Sequence, residues 1–202
     1  ALGWSPYNID EVFPEYTVRG KKVDYALRIN DTSKVFIEVK RVGEALESHQ
    51  KQLLEYSFNQ GVKLAILTNG ITWWFYLPYQ EGDWEQRKFY TIEIYDQEAE
   101  DIASKFIDFL HKANVSSGKS LENAESVYKS KQRRRLIDST IPKAWDKLIT
   151  EANGDLVGLV AETTERMCGY KPDDATIEKF LRSYSQKSEV GRTMPVRSPT
   201  RK

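Results

Sequence analysis

The chain has 202 residues, 40% of them hydrophobic and 12% aromatic, and its formal net charge is zero. This length supports one ordinary core with a modest extension, because domains span about 100–200 residues. The zero net charge excludes a global positive field, so any site for a polyanion must be local. One cysteine and two histidines exclude an internal disulfide framework and a cysteine-rich zinc site.

Every apolar stretch is shorter than the roughly 18 residues that a membrane helix needs, and no signal peptide stands at the start. We therefore expect a soluble protein without a membrane partner. With a single cysteine, a reducing cytoplasm is the expected location.

The first half predicts strands interrupted by one helix, in the order βββαβββ. Alternating polarity, apolar runs and turn residues predict strands at 15–19, 22–29, 35–40, 64–68, 71–77 and 87–95. Between the third and fourth strands, residues 43–60 have helical spacing, and Gly61 stands where a C-terminal cap belongs. The pair Asn69-Gly70 is a strong two-residue turn signal and predicts a hairpin between the strands at 64–68 and 71–77.

The second half predicts helices at 99–112, 121–137, 156–167 and 175–184, with a further helix restarted by Pro142. Residues 187–202 are basic and poor in apolar side chains, which predicts disorder or ordering by a partner. The predicted fold class is α/β (α+β), with a domain over 1–112, a helical extension over 113–186 and a basic flexible tail over 187–202.

Three charged residues on the second and third strands form the candidate site. If residues 30–34 form the loop between the strands, Ile29 lies opposite Val35 and Asp24 lies opposite Lys40, with Glu38 beside them. Two carboxylates and an ammonium group suit metal-assisted phosphodiester hydrolysis, because Mg²⁺ binds carboxylate oxygens and keeps waters for the reaction. The same strand pattern is also typical of an ordinary half-solvated strand with a charge pair.

Three motifs, in this order, carry a family resemblance. They are Val23-Asp24-Tyr25, Ile37-Glu38-Val39-Lys40, and Gln52 and Tyr56 on the following helix. Together they resemble the PD-(D/E)xK nucleases that carry the QxxxY addition. Over about residues 1–112 the chain is similar to the N-terminal nuclease domain of type I restriction enzyme R subunits and to predicted type IV restriction endonucleases. The resemblance implies a restriction-endonuclease-like mixed β-sheet flanked by helices, with a C-terminal helical extension.

The resemblance also implies roles for individual residues. Asp24, Glu38 and the backbone carbonyl of Val39 become metal ligands, and Lys40 becomes the catalytic lysine. Gln52 and Tyr56 are expected to contact DNA or to organise the site; their i, i+4 spacing sets them on one helix face. The implied cofactor is Mg²⁺, for which Mn²⁺ substitutes. The implied partners are DNA and either a second copy or other restriction-system subunits.

The family usually carries a further glutamate on a helix before the first strand. Glu11 and Glu15 are the candidates here, and Glu11 is the first choice because Glu15 falls in the predicted strand. If neither serves, we expect the acid on a helix that precedes Ala1.

Other readings of these features stay open. The fold could serve a non-catalytic nucleic-acid-binding or assembly module, and the residues do not distinguish DNA from RNA. Residues 113–120 fit a relaxed phosphate-loop pattern but follow a helix instead of a buried strand, so we interpret them as a linker. A basic run on the following helix is either a phosphate contact or a solvated face; it comprises Lys129, Lys131, Arg133, Arg134 and Arg135.

Overall fold

The computed structural model describes residues 2–18, 20–151 and 153–192, with backbone only at residues 21 and 185–192. Six strands form one sheet in the order β1-β2-β3-β4-β5-β6. Neighbouring strands are antiparallel except β3 and β4, which are parallel. The strands are β1 Val12–Val18, β2 Lys21–Ile29, β3 Thr32–Val39, β4 Leu64–Thr68, β5 Thr72–Tyr76 and β6 Lys88–Glu93. The predicted order βββαβββ is therefore confirmed.

The helices follow the predicted order with changed ends. A 3₁₀ turn at Leu46–His49 precedes the first helix. The helices are α1 Gln50–Asn59, α2 Ala99–Leu110, α3 Lys112–Ser117, α4 Lys119–Thr150, α5 Gly154–Cys168 and α6 Asp174–Arg192. The fold is α+β, a mixed sheet flanked by helices, with a C-terminal helical region as predicted. No helix in the described part of the chain is long and apolar enough to span a membrane.

The parallel pair at the centre requires a crossover, which α1 supplies. All five residues of β4 are buried, as its continuous apolar run predicts for a strand covered on both faces. On one face Leu53 and Leu54 of α1 pack with Phe36 and Leu67. On the other, Phe109 of α2 joins a core cluster that includes Val35, Ile66 and Phe75.

The β2–β3 hairpin corrects the predicted register. Leu27 pairs with Val35 and Tyr25 with Ile37, two residues away from the prediction. The loop is only Asn30-Asp31, and both residues have positive φ, +48° and +58°. Asn and Asp tolerate this conformation, and a two-residue turn of this kind matches strand twist. Part of the predicted loop 30–34 therefore belongs to β3.

Helix α4 corrects the predicted break at Pro142, which lies inside the helix. Proline removes an N–H and leaves the carbonyl four residues earlier, that of Asp138, without its helical donor. Asp138 and the residues around Pro142 are exposed, so water can solvate that carbonyl and the helix continues.

The chain divides into two compact units, Ala1–Arg133 and Arg134–Lys202. The first contains the sheet. In the second, Val157 and Ala161 of α5 pack with Ile177 and Leu181 of α6, and Ile149 joins them. The predicted tail begins inside α6, and residues 193–202 lie outside the described residues. The predicted domain boundary near residue 112 stays a prediction.

Candidate active site

The site begins where the β2–β3 ladder ends. Tyr25 lies opposite Ile37 in the β2–β3 ladder, and continuing this register by one residue sets Asp24 opposite Glu38. The Asp24 Oδ2 atom accepts a hydrogen bond of 2.7 Å from the backbone N–H of Val39. At this point the Asp24 side chain, instead of a backbone carbonyl of β2, accepts the hydrogen bond from β3. This bond holds the Asp24 carboxylate against the end of β3.

The backbone at the end of β3 is held from both sides. The N–H of Lys40 donates to the carbonyl of Thr68 in β4, at 2.7 Å. In a planar trans peptide the N–H and C=O point in opposite directions, so the Val39 carbonyl points away from β4 and toward β2. Asp24 lies on that side. The Val39 carbonyl and the Asp24 carboxylate are therefore directed to the same edge of β3.

Glu38 and Lys40 form an ion pair that is largely removed from water. The Lys40 Nζ atom lies 2.7 Å from Glu38 Oε1, and the two side chains are 19% and 10% exposed. The second carboxylate oxygen of Glu38, Oε2, is buried and has no hydrogen-bond partner among the described residues. Buried polar atoms are satisfied in nearly all native structures, so this carboxylate oxygen is a candidate ligand for a cation or a water.

The two candidates for the further glutamate, Glu15 and Glu11, lie in different places, and only Glu15 lies next to Asp24. Glu15 lies in β1, where the register sets it opposite Asp24, and it lines a concave surface together with Asp24, Tyr25 and Val39. Its φ is +48°, unusual for a residue other than glycine. An ion pair with Lys22 lowers the pKa of Glu15.

Glu11 lies elsewhere in the first unit. Its carboxylate forms an ion pair with Lys112 at 2.8 Å, and this contact lowers the Glu11 pKa. It borders a different hollow, next to Arg28 and the Asn30-Asp31 turn, at the opposite end of β2 from Asp24. Four residues of extended strand separate Arg28 from Asp24, about 13 Å.

Helix α1 carries a polar residue that the motif did not indicate. Gln52 is exposed, whereas Tyr56 is 8% exposed and packs in the core between α1 and the sheet. Gln50 is 5% exposed, and its Oε1 atom has no partner among the described residues. Helical spacing in the sequence could have indicated that Gln50 is buried. The residues three, four and seven positions later, Leu53, Leu54 and Ser57, are buried on the same helix face.

The loop between β3 and α1 contributes a hydrogen bond between an imidazole and a carboxylate. His49 Nε2 lies 2.7 Å from Glu44 Oε1. The hydrogen bond from His49 lowers the pKa of Glu44, and the positive charge of Lys40 adds to this effect. The loop therefore holds a carboxylate within electrostatic range of the candidate catalytic lysine.

Three oxygens are available to a metal ion in this arrangement. They belong to Asp24, Glu38 and the Val39 backbone, and the Glu38 Oε2 atom, which has no partner among the described residues, fits the role of a cation ligand. The set is small, because the described residues contain no group of three or more His, Cys, Asp or Glu side chains suited to a metal. Mg²⁺ is compatible with few protein ligands, since it commonly uses one or two carboxylates together with substrate oxygens and water.

The basic run on α4 is only partly free to bind phosphate. Lys129, Arg133 and Arg134 are exposed. Lys131 instead donates to the carbonyl of Lys88 in β6, at 2.8 Å. Gly118, in the phosphate-loop-like segment, joins α3 to α4, so the segment does link two helices as interpreted.

In this mixed sheet the β2–β3 hairpin carries Asp24 and Glu38, Lys40 follows directly after β3, and the crossover helix α1 carries Tyr56. This is an α+β domain with two carboxylates and a lysine at the end of one hairpin. Residues 5–84 match the family model described as type I restriction enzyme R protein N terminus. The predicted resemblance to the N-terminal domain of type I R subunits is confirmed over this segment, which is less than half of the chain and includes every candidate site residue.

The family match indicates a restriction-system nuclease-like domain. Searches of curated proteins and of solved structures gave no match.

Proposed function

We propose that this chain is a metal-dependent endonuclease that hydrolyses DNA phosphodiester bonds in a restriction system. The observation that carries the proposal is the environment of Glu38: one carboxylate oxygen is paired with Lys40, and the other is buried without a partner among the residues that the structure describes. A structural ion pair would gain from satisfying both oxygens, whereas a metal ligand keeps one available.

Asp24, Glu38 and the Val39 carbonyl would hold the cation. When bound, Mg²⁺ supplies Lewis-acid stabilisation of charge on the phosphate and a more acidic bound water. Asp24 also has a structural role, because it accepts a hydrogen bond from the Val39 amide. This bond joins the end of β3 to β2. The geometry favours Glu15 over Glu11 as the further acid, since Glu15 alone borders the Asp24 surface.

Lys40 is the residue that we assign to the reacting phosphate. Its ammonium group is held by Glu38 and is mostly screened from water, so its charge acts more strongly than a solvated charge. It can donate hydrogen bonds to the attacking water or to a phosphate oxygen, and it has no acceptor capacity of its own. Glu38 fixes its position.

Helix α1 completes the proposed site. Gln52 is exposed and can reach a DNA strand, whereas Tyr56 and Gln50 are buried and organise the wall between α1 and the sheet. Exposed lysine and arginine side chains on α4 before residue 134 offer phosphate contacts, which explains how a chain of zero net charge could bind a polyanion.

The rival function is a non-catalytic DNA-binding or assembly module with the same fold. It is favoured by the small number of acidic ligands among the described residues and by the closed Glu38–Lys40 pair. Binding of DNA without cleavage in any metal would establish it.

The test is incubation of supercoiled and linear DNA with the protein in Mg²⁺, Mn²⁺ or EDTA. Asp24→Asn and Lys40→Ala are the active-site variants, and Asp31→Asn is the matched control, because Asp31 lies at the far end of the same hairpin and its side chain is 85% exposed. We expect metal-dependent nicking by the wild type and Asp31→Asn but not by the other two. Equal cleavage by all four proteins, or none by the wild type, would overturn the proposal.

A further inference from the structure

A second concave site lies at the other end of β3. Its walls come from the start of β3, the start of β4 and the α3–α4 junction, and its volume is about 350 Å³. Six residues of strand separate Ser33 in this cavity from Val39 in the candidate active site, about 20 Å. The cavity is therefore separate from the candidate active site, and all its residues belong to the first unit.

The cavity is lined by hydroxyl groups and lysines. Lys34 and Lys63 supply two positive charges, and no carboxylate occurs among the described lining residues. The hydroxyl-bearing residues are Thr32, Ser33, Ser116, Ser117 and Ser120. Lysine ammonium groups and hydroxyls are hydrogen-bond donors, so the wall suits a ligand that is negatively charged and rich in acceptors.

Two of these hydroxyls have no partner. Ser120 is 3% exposed, and its Oγ atom is unpaired among the described residues. Ser33 Oγ is likewise buried and unpaired. A serine hydroxyl can rotate to almost any nearby acceptor, so these two buried hydroxyls are free to bind a ligand that enters the cavity.

A β-bulge and a helix N-terminus each place positive charge at this cavity. Lys34 is the extra residue of a β-bulge, because Arg28 pairs with Ser33 while Leu27 pairs with Val35. Bulges change the direction of a side chain next to a site. The N-terminus of the long helix α4 also borders the cavity through Ser120, and the positive end of its dipole favours an anion.

The remaining wall is apolar. Val35, Leu64, Val115 and Leu121 line it, and the volume lies in the range of small-ligand sites, about 300–1,000 Å³. An inorganic anion would leave this surface uncovered. A ligand with a phosphate at one end and a flat, partly apolar group at the other would use both walls.

We propose that this cavity binds the phosphate of a nucleotide, with Lys34, Lys63, Ser33 and Ser120 around the phosphate and the apolar wall against the nucleoside. The ligand is either a free nucleotide or the phosphorylated end of a DNA strand. Binding here needs no divalent metal and does not depend on the proposed hydrolysis.

The test is calorimetric titration of the full chain in EDTA with four probes: inorganic phosphate, deoxyadenosine monophosphate, and one short oligonucleotide with either a 5′-phosphate or a 5′-hydroxyl. Lys63→Ser and Ser120→Ala are the cavity variants. Lys147→Ser is the matched control, because Lys147 is 71% exposed and lies in the second unit. Thermal unfolding of each variant verifies that it is folded.

We expect the mononucleotide to bind more tightly than inorganic phosphate, and Lys63→Ser to weaken it about tenfold, the effect of losing one charge-assisted hydrogen bond. Lys147→Ser and Asp24→Asn should leave this affinity unchanged. Tighter binding of the 5′-phosphorylated than of the 5′-hydroxyl oligonucleotide identifies the strand end as the ligand; binding of the mononucleotide alone identifies a free nucleotide. Absence of binding by every phosphorylated probe, or equal weakening by Lys63→Ser and Lys147→Ser, overturns the proposal.

Discussion

The carboxylate of Asp24 binds the backbone amide of Val39 across the gap between β2 and β3, with Oδ2 and N separated by 2.7 Å. Asp24 therefore has a structural function that does not need its charge, in addition to the proposed function that does. This relationship allows the two functions to be separated by substitution.

Asp24→Asn keeps an oxygen acceptor for the Val39 amide and removes the negative charge. We expect its free energy of unfolding to stay near that of the wild type while metal-dependent DNA cleavage is lost. Asp24→Ala should also lose about 1 kcal/mol of stability, the typical net value of one hydrogen bond. Urea unfolding and a nicking assay measure the two effects; cleavage by Asp24→Asn at the wild-type rate would refute the assignment.

Lys40→Met leaves Glu38 mostly buried without its cation. Removing one partner of a buried ion pair typically costs about 3–5 kcal/mol, and we expect the lower end because both side chains keep some exposure. Mg²⁺ should raise the melting temperature of Lys40→Met more than that of the wild type, because binding to the folded state stabilises it and Lys40 no longer competes for Glu38.

The double variant Glu38→Gln/Lys40→Met is the control for this measurement. It removes both charges, so Mg²⁺ should not change its melting temperature. An equal Mg²⁺ response in the single and double variants would show that the ion binds somewhere other than Glu38.

Glu15 and Glu11 form a second matched comparison. Glu15 lies opposite Asp24, whereas Glu11 is paired with Lys112. We expect Glu15→Gln to reduce cleavage at limiting Mg²⁺ and to raise the metal concentration that gives half-maximal rate. Glu11→Gln should leave both quantities unchanged. The reverse pattern would restore Glu11 as the upstream acid.

The two glutamines of α1 should respond differently. Gln50 is buried, and its Oε1 atom has no partner in the described part of the chain. Gln50→Leu therefore removes an unsatisfied polar group and should leave stability unchanged or raise it by roughly 1 kcal/mol. If Gln50 organises the site, the Gln50→Leu variant should still cleave DNA more slowly than the wild type. Gln52→Ala, at an exposed position, should change stability by less than about 0.5 kcal/mol and weaken DNA binding. Cleavage by Gln50→Leu at the wild-type rate would show that Gln50 only packs in the core and does not organise the site.

The Glu44–His49 pair predicts a pH effect. The Glu44 pKa is lowered from its ordinary value of 4.5, mainly by the hydrogen bond from His49. A depressed folded-state pKa stabilises the fold above the unfolded-state value, and this contribution is lost as pH falls through the folded-state pKa. His49→Ala should raise the Glu44 pKa in a carbon-detected NMR titration and should lose less unfolding free energy than the wild type on acidification below 4.5. An unchanged Glu44 pKa would contradict this account.

The sequence alone was sufficient for the order of strands and helices along the chain, the crossover helix and the family resemblance. Alternating polarity identified β2 and β3, and the apolar run at Leu64–Thr68 identified a strand buried on both faces. These signals are local, because side-chain periodicity reports directly which positions of a strand or helix face the core.

Tertiary structure decided the pairing between elements. The hairpin register differs from the prediction by two residues, and a two-residue shift leaves every side chain on the same face, so hydrophobic patterning cannot detect it. Asp24 therefore still meets the end of β3, but opposite Glu38 instead of Lys40. The position of Glu15 beside Asp24, the unpaired oxygen of Gln50 and the lysine-lined cavity also depend on contacts between segments distant in the sequence. Such contacts arise only when the sheet and its helices pack together, and no local pattern encodes them.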